Sequence, residues 1–160
     1  MRHPLLILAL LASISLAVPA SAADEKPLGG ATVGEIQKHH NQELEDGKLA
    51  LRLVVPATLT NLKDSTVACV VFFADDAGRY IRSRLPEHAG PEGSIRLLSK
   101  DNVVATDKDG IDFALTVPYA AFPRREPGKY RVEARARIVL RASGGNVVLA
   151  QGTTQFWVEG

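Results

Sequence analysis

The chain is poor in the residues that most often carry chemistry or cross-links. Its 160 residues include one cysteine, one methionine and one tryptophan, and aromatics make up 6%. A single cysteine excludes an internal disulfide, so a folded domain must be held together by burial alone. Neither sign of charge prevails, with 19 Lys and Arg against 18 Asp and Glu. Nucleic acid or an anionic membrane as main partner would demand a strong basic excess, so both are disfavoured. The sequence also lacks a nucleophile elbow, a phosphate-binding loop, a zincin helix and a Cys–His pairing. No catalytic residue, metal ligand or cofactor is assigned, and an enzyme is not expected.

A long apolar run occurs once. Arg2 and His3 precede the segment Leu5–Val18, and Ala20-Ser21-Ala22 has the small-x-small form of a cleavage site. A bilayer span needs about 20 apolar residues, more than this run supplies. Residues 1–22 are therefore expected to be a cleaved secretory signal peptide, and the protein to be secreted or periplasmic without a membrane span. No cysteine follows the run, which excludes a lipoprotein signal. Cleavage removes Arg2 and leaves the mature chain formally neutral, with 18 charges of each sign. About 138 residues remain, the size of one domain with a real core.

What is present reads as β-structure. Residues 23–31 are polar with Gly and Pro, a flexible lead-in, and the domain is placed at 32–160. Thr32 with Glu35 would suit a helix capping box, but a short strand around Val33–His40 is preferred because all that follows reads β. Leu49, Leu51, Leu53, Val55, Ala57 and Leu59 alternate with polar residues, marking a half-buried strand. Pro56 donates no hydrogen bond and points to an edge strand or a bulge. Thr66–Gly78 has Val, Cys and Phe on both faces, which predicts a central strand buried on both sides. Cys69 within it reads as an inert core thiol. Arg79–Leu85 is a further strand candidate, PEHAGPEG after it is loop, and Ser94–Leu98 alternates again. Asp107–Gly110 reads as a turn, before Ile111, Phe113, Leu115 and Val117 on one face and a stop at Pro118-Tyr119.

The last part is a hairpin. Tyr130, Val132, Ala134, Ala136, Ile138 and Leu140 face inward; Arg131, Glu133, Arg135, Arg137 and Arg141 face outward. Gly144-Gly145-Asn146 supplies the turn into Val147–Ala150. Thr154, Phe156 and Val158 then alternate with Gln155, Trp157 and Glu159. Seven or eight short strands with turns roughly every ten residues predict an antiparallel β-sandwich of immunoglobulin-like topology, a closed barrel being the alternative.

Several local signatures occur in a familiar order: His40-Asn41, Asp46-Gly47, Asn61-Leu62-Lys63, Phe72-Phe73 with Gly78, Val117-Pro118-Tyr119 and Gly128-Lys129-Tyr130. From Ile36 to Val158 the series resembles an immunoglobulin-like accessory domain of secreted and envelope bacterial proteins. The resemblance implies a sandwich fold and a non-enzymatic role, and it carries no catalytic residues with it.

Four features are candidate sites. Arg131, Arg135, Arg137 and Arg141 share one face of one strand, where they would receive an acidic partner, a carboxylate-bearing glycan or a phosphate. The ordinary alternative is a solvated face balanced by Glu133 and neighbouring acids. Trp157 lies on the outward register with Pro118-Tyr119 and Phe122 as possible companions; exposed, it would belong to a recognition surface, whereas a Trp at an edge covered by a loop is commoner. His39-His40 on a strand point to opposite faces and cannot simply share one ion. Asp107, Asp109 and Asp112 resemble a calcium loop, but the EF-hand spacing is missing, as it is around Asp75-Asp76. The expected function is a non-catalytic module that binds an envelope protein through a sheet edge or the Arg row, with Arg131, Arg135, Arg137, Arg141 and Trp157 as contacts. The alternatives are an anionic glycan or metal ion, then an unrecognised hydrolase.

Overall fold

The computed structural model describes residues 29–125 and 128–159. The expected signal peptide and most of the lead-in lie outside these residues. Nine strands follow in order: β1 (Gly30–Val33), β2 (Gln37–Glu43), β3 (Leu49–Thr60), β4 (Thr66–Ala74), β5 (Arg96–Leu98), β6 (Asn102–Val103), β7 (Lys108–Pro118), β8 (Lys129–Ala142) and β9 (Gly145–Glu159). Single 3-10 turns lie at Pro86–His88, Pro91–Gly93 and Tyr119–Ala121, and there is no α-helix among the described residues. No helix there is long and apolar enough to cross a membrane.

The strands form two antiparallel sheets. In the first, β3 pairs with β7 along one side and with β2 and then β1 along the other. In the second, β4 pairs with β8 on one side and with the short β5 and β6 on the other, and β9 closes the sheet beyond β8. The alternation visible in the sequence sets the layers. Leu51, Leu53, Val55 and Leu59 of β3 and Phe113, Leu115 and Val117 of β7 face Val67, Cys69, Val71 and Phe73 of β4 and Val132, Ala134, Ala136 and Ile138 of β8. All are buried between the sheets, and the hydrophobic effect on this shared layer holds the fold in place of a disulfide. Phe73, Phe122 and Phe156 meet edge to face with ring centroids 5.2–6.1 Å apart. Cys69 is fully buried, and burial pushes its thiol up to about 12.

Several expectations are corrected. The lead-in ends earlier than residue 31, because β1 begins at Gly30, and the expected first strand is two strands broken at Gly34–Ile36. β3 is an interior strand despite Pro56. Pro56 lies where the partner changes from β2 to β1, and its carbonyl accepts the Gly34 N–H at 2.8 Å on that side. A strand residue's N–H and C=O point the same way, so the missing donor faces this break and costs no bond to β7. β4 is not buried on both faces: Val70 and Phe72 are half-buried, and Phe72 lies against Tyr80 and the Arg137 guanidinium, with no third layer among the described residues.

Arg79–Leu85 forms only isolated bridges, Ala74 with Tyr80 and Arg82 with Ser94. Asp107–Gly110 is no turn: β7 starts at Lys108, and Gly110 pairs with Thr58 inside the sheet. The hairpin loop is Ser143-Gly144, with Gly145 and Asn146 already paired to β8, and β9 runs unbroken for 15 residues where two strands were expected. Nine strands stand among the described residues, where seven or eight were expected.

Candidate functional site: the β9 edge and its groove

Among the described residues β9 is the outermost strand of its sheet and pairs only with β8. Between Gly145 and Glu159 it carries no charged residue. β1 of the opposite sheet crosses this edge at Gly152, where an added Cβ would lie 2.6 Å from Val33 Cγ1. Only glycine permits that approach. The crossing leaves two open stretches. Val147 and Val148 are exposed on the first; Trp157, in register with Arg131, is 60% exposed on the second. The covered tryptophan expected as the commoner arrangement is therefore not the one found.

The second stretch looks across a groove of about 620 Å³ toward β2. Local backbone geometry shapes the far wall. Asn41 adopts φ 54°, and the β2–β3 register shifts between His39 and Gln42. Asparagine tolerates this left-handed conformation better than most residues. His40 Nδ1 and the Tyr119 hydroxyl share a 2.7 Å hydrogen bond with the rings stacked, and His40 meets Phe156 edge-on. Burial pushes the Tyr119 phenol above its usual range, against a lowering contribution from the Asn41 backbone. Leu49, expected in the core, is instead half exposed at this opening. Three of the signatures behind the resemblance, His40-Asn41, Pro118-Tyr119 and Lys129, thus contribute to one groove. Their separation in the chain hid this.

The groove has a cationic rim. Lys38 Nζ donates to the Gln155 carbonyl at 2.9 Å, and Lys129 pairs with Glu159 at 2.8 Å. An adjoining depression of about 530 Å³ shares Leu49, Tyr119 and Glu159 and adds Lys48, Arg84 and Arg124. Lys48 pairs with Asp46 at 2.7 Å. Lys38, Arg84 and Arg124 have no carboxylate within ion-pairing distance among the described residues. Sequence reasoning missed this cluster, since its members lie on separate elements.

The Arg row stands on the outward face of β8, and its members are engaged by the protein itself. Arg131 donates to Asp76 at 2.7 Å, Arg135 to Glu133 at 2.6 Å, and Arg141 to Asp101 at 3.0 Å. Arg137 donates to the Tyr80 hydroxyl at 3.2 Å and lies 5.4 Å from the Phe72 ring centre. The Arg135 hydrogen bond holds Glu133 below the usual carboxylate range. Trp157 and Arg131 adjoin across the β8–β9 ladder; the rest of the row leads away from the groove. Asp75, beside the row, accepts from the backbone N–H groups of Ala77 and Arg79 and from the Arg79 guanidinium.

Among the described residues no three His, Cys, Asp or Glu side chains gather as a metal site would require. Asp109 accepts the Ala105 N–H, and Asp112 sits opposite Pro56 in the β3–β7 ladder.

No protein-family model matches the chain, and no curated protein matches it. Among solved structures, a bacterial adhesin from Mobiluncus mulieris with intramolecular disulfide, isopeptide and ester cross-links is similar at TM-score 0.45 and 13% identity. The match covers 81% of this chain and 57% of the adhesin chain, so this chain spans little more than half of that structure. A candidate late embryogenesis abundant protein gives TM-score 0.42 at 10% identity, over 88% of this chain and 75% of that one. A protein from Archaeoglobus fulgidus gives 0.38 at 8%, over 78% and 95%.

Proposed function

We propose that the protein is a secreted or periplasmic, non-catalytic, immunoglobulin-like module that binds an envelope protein by its β9 edge. The observation that carries this reading is β9 itself: 15 residues paired on one side only, with Val147, Val148 and Trp157 exposed. Apart from Glu159 at its end and a bulge at Leu149, this edge carries none of the charges or prolines with which soluble proteins normally blunt a template for strand addition. Trp157 offers the large amphipathic surface that interfaces favour. The Arg row borders this surface through Arg131, and its internal ion pairs suit it to a rim more than to a primary contact. One observation favours a second reading, an anionic glycan: Phe72 and Tyr80 present rings beside Arg137, which no carboxylate engages among the described residues.

Affinity capture from the source organism's envelope, with the chain from residue 23 as bait, tests the first reading. One protein held by the wild type, lost by Val148→Lys or Trp157→Ala and kept by Arg135→Glu/Arg137→Glu, is the expected result. Loss only in the Arg variant would move the contact to the β8 face. Turnover of ester, phosphate or glycoside substrates would overturn the non-catalytic reading.

A further inference from the structure

The groove between β2 and β9 has a chemistry that the edge alone does not require. Its walls are two strand edges, each paired on one side only. Phe156 and Tyr119 give it an apolar lining, Trp157 stands on the outer side, and Lys38 reaches across from β2. Arg84 and Arg124 continue the positive rim into the adjoining depression. Its size is that of a ligand or peptide pocket.

We propose that this groove receives an extended segment of the protein partner in which apolar and acidic side chains alternate, laid beside Thr153–Glu159 of β9. The inference rests on reading β9 as the partner-binding edge, and adds what the partner's segment must look like. A strand added there sends alternate side chains to opposite faces. Those turned toward the first sheet meet the Lys38 ammonium, where carboxylates are matched. Those turned outward lie beside Trp157, where apolar groups are matched. Lys38 meanwhile occupies the Gln155 carbonyl, one of the edge's acceptors. An incoming backbone N–H would take that carbonyl and release the ammonium to a carboxylate, exchanging a bond to a neutral acceptor for a charge-assisted one. Electrostatic recognition of this kind weakens as salt rises.

The protein supplies its own reporter, because Trp157 is the only tryptophan in the sequence. Its emission is to be titrated with a short peptide alternating Val and Glu, with the same peptide carrying Lys in place of Glu, and with polygalacturonate. The expected result is a blue shift with the Glu peptide alone, weakened about tenfold by Lys38→Glu. The melting temperature of that variant should match the wild type. Lys63→Ala, exposed between β3 and β4 and outside the groove, should leave the titration unchanged.

An equal response to both peptides, or none to the Glu peptide, would overturn the inference. A response to polygalacturonate alone would do the same by making the site a glycan site. If Val148→Lys abolishes partner capture while the Glu peptide leaves Trp157 silent, the inference fails and the edge reading stands. If the peptide shifts Trp157 but no envelope protein depends on β9, the envelope-partner reading fails and the groove assignment stands.

Discussion

On the outward face of β8, Arg131, Arg135 and Arg141 each have a carboxylate within 3.0 Å; around the groove, Lys38, Arg84 and Arg124 have none among the described residues. The two regions adjoin at Trp157 and Arg131 yet differ in what their charge does. In the row, the protein supplies both signs: Arg135, paired with Glu133, lies over Tyr80, and Arg137, bonded to the Tyr80 hydroxyl, lies over Phe72. In the groove, positive charge stays available to whatever enters. The apolar groups differ as well: Phe72 is half-buried on an open face, whereas Phe156 is 4% exposed and forms both core and groove floor. The arginine row legible in sequence is thus largely balanced from within, whereas the scattered cations Lys38, Arg84 and Arg124 are not.

The largest expected effect separates the two aromatic anchors. Phe156→Ala removes a buried ring packed against Phe73 and Phe122 and should cost about 3–5 kcal/mol in a urea unfolding midpoint analysis. Phe72→Ala gives up a half-exposed ring and should cost clearly less, about 1–2 kcal/mol. Equal losses would mean that the β8 face is covered as fully as the groove floor, and the contrast would collapse.

Acid should weaken the β8 side next. Asp75 is 8% exposed; burial works against its ionisation, but the Arg79 backbone and guanidinium outweigh it and hold its carboxyl below the usual range. Glu133 is lowered chiefly by its hydrogen bond to Arg135. A carboxylate with a depressed folded-state pKa binds fewer protons when folded. Its stabilisation is present above the unfolded value, about 4, and is lost as pH falls through the folded value. Stability should therefore hold down to about pH 4 and then decline, and Asp75→Asn should soften that decline. At neutral pH the same variant should lose about 1–3 kcal/mol, the cost of a charge-assisted bond.

How much of this was legible depended on whether a residue's role was local. The inward sets of β3, β7 and β8 were readable because period-two burial is written into neighbouring positions. Pro56 reads in sequence as punctuation of its own strand, whereas it accommodates a change of partner from β2 to β1; Gly152 likewise serves a second strand, at the crossing of β1. Asp107–Gly110 carried the composition of a turn, but pairing with Thr58–Thr60 of β3 overrides it. The groove was the least legible part. His40 and Tyr119 are 79 positions apart, and their meeting depends on a bulge at Asn41 that no periodicity announces. Trp157 was placed on the right register, but its exposure depends on what β2 leaves uncovered.

The smallest expected effect tests the charge contrast directly. Replacing Lys38, Arg84 and Arg124 together by Gln removes cations without carboxylate partners among the described residues, so the melting temperature should stay level or rise slightly through relief of mutual repulsion. Replacing Arg131, Arg135 and Arg141 by Gln breaks three ion pairs that are partly exposed, each worth about 0.2–1 kcal/mol, and should lower it by a few degrees at most. Retention on an immobilised polyanion should respond in the opposite order. The groove triple should elute at clearly lower salt, and the row triple should change less, because its arginines already face carboxylates. If instead the row triple loses retention and the groove triple does not, the internal ion pairs open readily in solution. The exposed charge of the molecule would then lie on β8 after all, and the strand face, with Phe72 and Tyr80 beside Arg137, would become the surface on which to seek a ligand.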